Sequence, residues 1–188
     1  MELARLVDVH TQKCPFVLPT PSATVRGSIG ATDATPAGLI RSSMSQPMFV
    51  VFDLDGTLAL TEHRAHFLAG PRRKDWRAFY AACDQDEPCH PIIQTLLALD
   101  AAGNDVEIWS GRSDEVKDKT SAWLGKHGLG HIPIRTREAG DHRSDTVLKA
   151  EWLDEGRTPD LIFEDRASVV AMWRARGIVV CQVAPGEF

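Results

Sequence analysis

An apolar run in this sequence ends in two aspartates, a glycine and a threonine, in the segment FVVFDLDGTL over residues 49–58. Because side chains alternate along a strand, Asp53 and Asp55 are predicted to lie on the same side. Gly56 allows a sharp turn with exposed backbone amides, and Thr57 adds a hydroxyl beside them. Two such carboxylates could share phosphoryl transfer, one attacking phosphorus and the other handling the proton. The alternative for this segment alone is a strand that ends in a solvated acidic turn.

Three further polar clusters fall at predicted strand ends or at the start of a following helix. They are WSGR, with Ser110, Gly111 and Arg112; HRSDTVLK, with Asp145 and Lys149; and FEDR, with Glu164 and Asp165. Asp145 and Lys149 stand four positions apart and therefore share one face of the predicted helix. Each cluster alone would more often be a capped turn or a surface ion pair. Together they favour one site, because ligands of open α/β folds bind at the carboxyl ends of the parallel strands.

The elements that must position these residues alternate between apolar strands and amphipathic helices from residue 48 onward. This alternation predicts an α/β fold with a three-layer, Rossmann-like architecture, in which helices cover both faces of a parallel five-stranded sheet. The predicted strands span about residues 49–54, 105–110, 132–135, 160–164 and 178–182. Helices are predicted to begin near Pro91, Ser113, Ser144 and Ala167. The residues predicted to point inward from the third helix are Val147, Leu148, Trp152 and Leu153.

The stretch from about residue 59 to residue 87 interrupts this alternation directly after the first strand. It contains Arg64, a basic run at residues 72–74, and a predicted short helix with Trp76, Phe79 and Tyr80. An insertion at this point lies over the carboxyl end of the sheet, so we predict a small cap above the site. The alternative is a solvated surface helix whose charges are incidental.

The composition is that of one soluble globular domain, with 188 residues of which 43% are hydrophobic and 25% charged. We find neither an apolar run near the roughly 18 residues of a membrane helix nor a secretory signal, and we expect a cytoplasmic protein with no membrane partner. The four cysteines lack the spacing of a zinc site. The net charge of −5 argues at first against a nucleic-acid partner, although local clusters of Lys and Arg matter more than the total.

Residues 1–47 are rich in Ser, Thr, Pro, Ala and Gly and have no sustained helical or strand period. We predict a disordered, nonfunctional N-terminal extension, followed by one domain over residues 48–188. An organelle-targeting leader is the alternative, because the segment is poor in acids and carries four basic residues.

The four clusters resemble the four motifs of the haloacid-dehalogenase-like (HAD) phosphohydrolases: DLDGT, the serine of WSGR, the downstream lysine and the acidic pair of FEDR. The resemblance covers residues 48–188 and implies a HAD-like fold. Within that superfamily the chain is most similar to the 3'-phosphatase domain of the bacteriophage type of polynucleotide kinase-phosphatase. The supporting residues are Arg64, the run REAGDHRSD at 137–145 leading to Lys149, and the segments VVAMWR at 169–174 and QVAPGEF at 182–188.

A magnesium ion is the expected cofactor. A phosphomonoester dianion repels an anionic nucleophile, so the site needs a bridging cation, and oxygen ligands indicate Mg²⁺. The resemblance implies that Asp53 attacks phosphorus to form an aspartyl-phosphate, while Asp55 protonates the departing alkoxide and later deprotonates water. It implies metal ligation by the Asp53 carboxylate and by the backbone carbonyl of Asp55. Glu164 and Asp165 complete the metal environment, and which of the two binds directly is left open.

The same resemblance assigns the remaining site residues to the substrate. Thr57, Ser110 and Lys149 would hold phosphate oxygens, with Lys149 also screening Asp53, and Gly111 supplies flexible backbone beside Ser110. Arg64, Arg112 and Asp145 match positions with active-site roles, either in substrate contact or in positioning Lys149.

The function implied by the resemblance is removal of 3'-phosphates from nucleic-acid ends. The phage enzymes usually carry a kinase domain as well, but this sequence has no G-x-x-x-x-G-K-[ST] motif, and 47 residues are too few for such a domain. We therefore expect a stand-alone phosphatase with no ATP site. The alternatives are a phosphatase for small phosphates such as nucleotides, and a noncatalytic module that binds nucleic-acid ends. The candidate contacts to a nucleic-acid backbone are Arg72, Arg73, Lys74, Arg135, Arg137 and Arg143.

Overall fold

A parallel sheet of five strands forms the centre of the fold. The structure is a computed structural model, and it describes residues 46–69 and 74–186. In chain order the strands are β1 (Phe49–Phe52), β2 (Ala59–Leu60), β3 (Glu87–Pro88), β4 (Asp105–Ser113), β5 (Ile134–Arg137), β6 (Leu161–Arg166) and β7 (Val179–Gly186). The sheet has the order β5-β4-β1-β6-β7, and β2 and β3 form a separate antiparallel pair.

Strand β1 lies in the middle of the sheet, and all four of its residues are apolar and buried. It pairs in parallel with β4 on one side and with β6 on the other. Phe52 packs into the core on one face of the sheet, and Val51 packs into the core on the other face. A strand buried on both faces needs an unbroken apolar run, which is why β1 does not alternate with polar residues.

Helices cover both faces of the sheet. They are α1 (Trp76–Ala81), α2 (His90–Ala101), α3 (Lys117–Lys126), α4 (Asp145–Glu155) and α5 (Ala167–Ala175). Leu96 of α2 and Trp123 of α3 belong to one core cluster. Trp152 of α4 and Trp173 of α5 belong to the other. The predicted α/β class, with helices on both sides of a five-stranded parallel sheet, is confirmed.

The segment between β1 and α2 forms a small substructure, which we call the insertion (residues 59–69 and 74–88 of those described). It consists of β2, a 3₁₀ turn at Glu62–Phe67, α1, a 3₁₀ turn at Cys83–Gln85, and β3. Asp75 caps α1, since its carboxylate accepts a hydrogen bond from the Ala78 amide at 2.9 Å. Phe79 is buried, and the Tyr80 hydroxyl donates to the Gly111 carbonyl at 3.1 Å. Helix α1 is therefore packed against the site instead of lying free on the surface.

The predicted strands are all present, but their ends differ from the predicted ones. β4 was expected to end at residue 110 and continues to Ser113, because its pairing with β5 shifts register between Ser110 and Ser113 and then resumes. β6 continues to Arg166 with a similar shift against β7 between Glu164 and Arg166. Irregular pairing of this kind redirects side chains. Polar residues of WSGR and FEDR thus lie within the strands themselves.

The predicted inward face of α4 is correct except at one residue. Ser144 caps this helix as predicted, since its hydroxyl accepts a hydrogen bond from the Val147 amide at 3.4 Å. Leu148 and Trp152 are buried, but Val147 is 51% exposed. The prediction for Val147 was wrong because the buried face of the helix is formed by Leu148, Lys149, Trp152 and Leu153. A prediction that considers only apolar residues does not place Lys149 on that face.

Several sequence predictions fall on residues outside the described ranges. These are nearly all of the predicted extension at residues 1–47, and Arg72 and Arg73 of the basic run. Within residues 46–69 and 74–186, no helix has the length and apolar character needed to cross a membrane.

Candidate active site

The loop after β1 is a tight turn held against β6. The Asp53 amide donates to the Phe163 carbonyl at 2.9 Å, which fixes the start of the loop beside the central strands. Gly56 has a φ of +90°, and a Cβ at this position would come within 2.2 Å of a carboxylate oxygen of Asp165. Both the backbone conformation and the close approach therefore require glycine.

The same loop leaves the Thr57 hydroxyl available to bind a ligand, but the Gly56 and Thr57 amides are already hydrogen-bonded. The Gly56 amide donates to the Ala59 carbonyl at 2.8 Å, and the Thr57 amide donates to the Leu54 carbonyl at 3.3 Å. The prediction that these amides are exposed was wrong, because the turn closes on itself. The Thr57 hydroxyl is buried and has no hydrogen-bond partner among the described residues. A buried hydroxyl without a partner is costly unless a ligand supplies one.

Lys149 joins two buried carboxylates. Its Nζ donates to Oδ1 of Asp53 at 2.5 Å and to Oε2 of Glu164 at 2.7 Å, and all three side chains are buried. Burial alone would lower the pKa of Lys149, but Asp53 and Glu164 outweigh it and hold that pKa above its ordinary value. The lysine is therefore charged, and it sits directly on the carboxylate predicted to be the nucleophile.

Three buried carboxylates crowd together at the carboxyl end of β1 and β6. One oxygen from each of Asp53, Glu164 and Asp165 lies within 4.8 Å of the others. Burial, helped by the charge of Glu164, raises the pKa of Asp165 to about 7. Burial also raises the pKa of Asp53, with Lys149 opposing the effect. A divalent cation would relieve the repulsion between these three negative charges, and an all-oxygen donor set fits Mg²⁺.

Asp55, in contrast, faces two arginines. Its carboxylate accepts hydrogen bonds from Nη2 of Arg64 at 2.7 Å and from Nη2 of Arg112. Burial alone would raise the pKa of Asp55, but Arg112 and Arg64 outweigh it and lower the pKa to about 2. The two aspartates of the DLDGT motif thus line one cavity but lie in different electrostatic surroundings.

A further carboxylate, Asp86, holds these two arginines in place. It accepts hydrogen bonds from Nε and Nη2 of Arg64 at 2.7 and 2.6 Å, and from Nη2 of Arg112 at 3.0 Å. His63 contacts the same carboxylate at 2.8 Å. The side chains of Asp86, Arg64 and Arg112 are fully buried. Asp86 is therefore the residue that positions both arginines on Asp55.

Asp145 is positioned in the same way as Asp55, by two arginines. Its carboxylate accepts from Nη2 of Arg137 and from Nη1 of Arg166, the latter at 2.7 Å. Lys149 donates instead to Asp53 and Glu164. Asp145 therefore acts on Lys149 through its charge and not through a hydrogen bond, and its predicted role in substrate contact or in positioning Lys149 stays a prediction.

Gly111 and Ser110 complete the wall beside Asp145. A Cβ on Gly111 would come within 2.5 Å of an Asp145 oxygen, and the Gly111 carbonyl accepts from Nε of Arg137 at 2.8 Å. The buried Ser110 hydroxyl accepts from the Arg112 amide at 3.2 Å. A cavity is lined by Asp53, Asp55, Trp76, Phe79, Tyr80, Gly111, Asp145, Glu164, Asp165 and Arg166.

Three functional residues were missed from the sequence. Asp86 stands in an acidic stretch of the insertion with nothing in the spacing to mark it, and Arg166 was noted only as part of FEDR. Arg137 was predicted to contact a nucleic-acid backbone, but it is buried and bound to Gly111 and Asp145. Each of these residues acts through a contact with a distant part of the chain, which sequence spacing does not reveal.

Fold and site together define a phosphatase of the HAD type. A sequence model described as the polynucleotide kinase PNKP phosphatase domain matches residues 47–188. The chain belongs to this family, and the predicted resemblance is confirmed.

Solved structures give the same result. A chain in a structure of the Pnkp1/Rnl/Hen1 complex is 29% identical, with a TM-score of 0.61, over 77% of this chain and 48% of that chain. A chain in a structure of the Pnkp1/Rnl/Hen1 RNA repair complex is 26% identical, with a TM-score of 0.65, over 82% of this chain and 50% of that chain. This chain thus spans about half the length of those two chains.

A more distant neighbour shares only the fold. It is the haloacid dehalogenase-like hydrolase SP0104 from Streptococcus pneumoniae, which is 14% identical with a TM-score of 0.50, over 72% of this chain and 84% of that chain.

Asp86→Asn tests the role of the buried carboxylate while keeping the size of the side chain. We expect it to lower the free energy of unfolding by about 3–5 kcal/mol, because it leaves two buried guanidinium groups undercompensated. Urea denaturation measures this change. Asp84→Asn is the matched control, since Asp84 forms an exposed ion pair with Lys119 and should leave stability nearly unchanged. Equal effects of the two substitutions would contradict the positioning role of Asp86.

Proposed function

We propose that the protein is a Mg²⁺-dependent phosphomonoesterase that removes 3'-phosphates from nucleic-acid ends through an aspartyl-phosphate on Asp53. The observation that carries this proposal is the buried contact of Lys149 with Asp53, beside two further acids and the unpartnered hydroxyl of Thr57. Such a site would combine a nucleophile and a fixed positive charge with a hydroxyl that has no partner among the described residues and lies in the same loop as the nucleophile. These are the parts that phosphoryl transfer requires.

In the first step, an oxygen of Asp53 forms a bond to phosphorus while the bond from phosphorus to the leaving 3'-oxygen breaks. Lys149 stays charged throughout, so it neutralises part of the negative charge that gathers between Asp53 and the phosphate. The Thr57 hydroxyl donates to a phosphate oxygen. In the second step, water attacks phosphorus, inorganic phosphate leaves, and Asp53 is regenerated.

Asp55 is the proton carrier in this scheme. In the described conformation it is ionised and bound to Arg64 and Arg112. An ionised carboxylate is the form that accepts a proton from water in the second step. Protonating the leaving oxygen in the first step requires Asp55 to separate from the arginines, which the arriving phosphate can bind in its place. The released carboxylate then takes up a proton from solvent and passes it to the leaving oxygen.

Asp53, Glu164 and Asp165 would hold the metal. A Mg²⁺ bound there supplies positive charge that lowers the repulsion between nucleophile and phosphate. Both oxygens of Glu164 already accept hydrogen bonds, one from Lys149 and one from the Arg166 amide. We therefore infer that Asp165 binds the metal directly and that Glu164 mainly positions Lys149.

The nucleic-acid substrate is supported by family membership. The chain belongs to the PNKP phosphatase domain family, and two similar chains occur in structures of a Pnkp1/Rnl/Hen1 complex, one of them described as an RNA repair complex. RNA ends are therefore included with DNA ends as candidate substrates. The cytoplasmic location expected from the sequence stays a prediction.

A phosphatase for small nucleotides is the second candidate. It is favoured by the net charge of −5. It is also favoured by the ion pairs of two arginines that were predicted to contact a nucleic-acid backbone. Arg135 is paired with Glu155, and Arg143 is paired with Asp141 and Glu151. Arginines already paired with acids attract a nucleic-acid backbone less strongly than free ones.

Asp53→Asn should lower phosphate release by at least about a thousandfold, because the amide cannot act as a nucleophile. Cooperative thermal unfolding should be retained, which separates loss of chemistry from loss of fold. Asp154→Asn is the control, since Asp154 lies on the surface and pairs with Arg176. Activity of the Asp53 variant within tenfold of the parent would refute the nucleophile assignment.

Removal of divalent cations with excess chelator should abolish turnover, and Mg²⁺ should restore it. Mg²⁺ should also raise the thermal midpoint of the parent, because a ligand of the folded state stabilises that state. Asp165→Asn should remove the Mg²⁺-dependent rise, while Asp154→Asn should keep it. Full turnover in excess chelator would show that the metal assignment is wrong.

The substrate is tested by phosphate release from three compounds at equal concentration: a 3'-phosphorylated oligonucleotide, the same oligonucleotide phosphorylated at its 5'-end, and a free nucleoside monophosphate. We expect the highest kcat/KM for the 3'-phosphorylated oligonucleotide, in both DNA and RNA series. Equal or faster turnover of the free nucleotide would replace the leading proposal with the second candidate.

A further inference from the structure

A partly exposed tryptophan lines the active-site cavity and has no part in the phosphoryl transfer described above. Trp76, the first residue of α1, lines the same cavity as Asp53 and Asp55. It remains 36% exposed, although large aromatic side chains are usually more buried. The other residues that line the cavity are five carboxylates, Arg166, Gly111 and the aromatic residues Phe79 and Tyr80.

The ring of Trp76 belongs to a fixed aromatic group, which makes it suitable for binding. Its centroid lies 5.8 Å from that of Phe79 and 5.9 Å from that of Tyr80. Phe79 in turn lies under the guanidinium of Arg64, with Cζ 4.0 Å from the ring centroid. Tyr80 is tied to the sheet through its hydroxyl, which donates to Gly111. Trp76 is thus held in place by residues anchored in the site, and binding to it costs little ordering.

A positive charge accompanies the ring. Nζ of Lys74 lies 5.7 Å from the centroid of the Trp76 indole, within the range of a cation–π contact. Lys74 is exposed, so its ammonium can also reach a phosphate in solvent. An aromatic face beside a lysine is the combination with which proteins bind single-stranded nucleic acid, since bases stack on the ring and the cation binds the backbone.

We propose that Trp76 is a stacking platform for the base of the nucleotide whose phosphate is removed, with Lys74 facing the phosphate that precedes it in the strand. This inference rests on the proposed phosphatase function and names a substrate feature: a nucleobase next to the phosphate. Stacking does not read the base edges, so the platform accepts all bases and gives no sequence preference. It selects nucleotides over phosphates that carry no planar group.

The stacking contact is remote from the bond that breaks, so it is equally strong in the bound substrate and in the transition state. Its loss should therefore raise KM and leave kcat nearly unchanged. Loss of a merely structural Trp76 would disturb Phe79 and Arg64, and through them Asp55, which would lower kcat for every substrate.

The test compares two oligonucleotides that differ in one group. One ends in a thymidine 3'-phosphate, and the other ends in an abasic tetrahydrofuran 3'-phosphate. For Trp76→Ala we expect KM for the thymidine end to rise at least about tenfold, with kcat within about twofold, and KM for the abasic end to stay within about twofold. Trp76→Phe should recover most of the affinity. Val179→Ala, at an exposed apolar residue that begins β7, is the control and should change neither substrate.

Two results would overturn the platform. The first is an equal loss for the thymidine and abasic ends, which marks a structural role. The second is no change for either end. Failure of the proposed 3'-end function is a separate outcome, seen as absent turnover of both oligonucleotides by the parent. In that case KM of the parent and of Trp76→Ala is compared for thymidine monophosphate and for deoxyribose phosphate. A rise in KM for the nucleotide alone supports the platform, and an equal rise or no rise for both compounds overturns it.

Discussion

Compensation of buried negative charge at one edge of the sheet is the constraint on which the rest of this structure depends. Asp53, Glu164 and Asp165 are buried there, Asp55 and Asp145 are partly buried beside them, and the buried Asp86 of the insertion pairs with the same arginines as Asp55. Carboxylates removed from water need cations nearby. Lys149 serves Asp53 and Glu164 together, and Arg64 and Arg112 both serve Asp55 and Asp86. Because each of these cationic side chains binds two acids, it compensates their negative charge and also sets the distance between them. Asp165 lies beside Glu164, and burial together with the charge of Glu164 raises its pKa to about 7, which fits the proposed metal site.

The two glycines at this edge follow from the same crowding. The carboxylate of Asp165 lies where the Cβ of residue 56 would be, and the carboxylate of Asp145 lies where the Cβ of residue 111 would be. Only a residue without a side chain lets the acids approach the neighbouring backbone so closely. Gly56 additionally takes a positive φ, which the tight turn after Asp55 requires. The glycines of DLDGT and WSGR are therefore needed because any side chain there would clash with the acidic cluster.

The sequence was sufficient for the parts of this site that depend on local pattern. The order of strands and helices, the cap at Ser144 and the clustering of the four motifs at one edge all follow from periodicity and spacing. It was insufficient where a partner lies far along the chain. Asp86 is 22 residues from Arg64 and 26 from Arg112, and Arg166 is 21 residues from Asp145. It also misled at Val147, since a lysine that is buried because it is paired occupies the inward face of α4.

The insertion is joined to the sheet by charges, and this decides how a substrate can enter. Arg64 and Asp86 belong to the insertion, and they pair with Asp55 of the loop after β1 and with Arg112 of β4. Moving the insertion away would separate these buried ion pairs, at a cost of several kcal/mol for each uncompensated charge. The indole NH of Trp123, on α3, adds a hydrogen bond to the Asp86 carbonyl at 2.8 Å. A lid that opens widely in each cycle is incompatible with such contacts. In the proposed reaction the substrate instead enters past the exposed rim of the cavity, which on the side of the insertion is formed by α1.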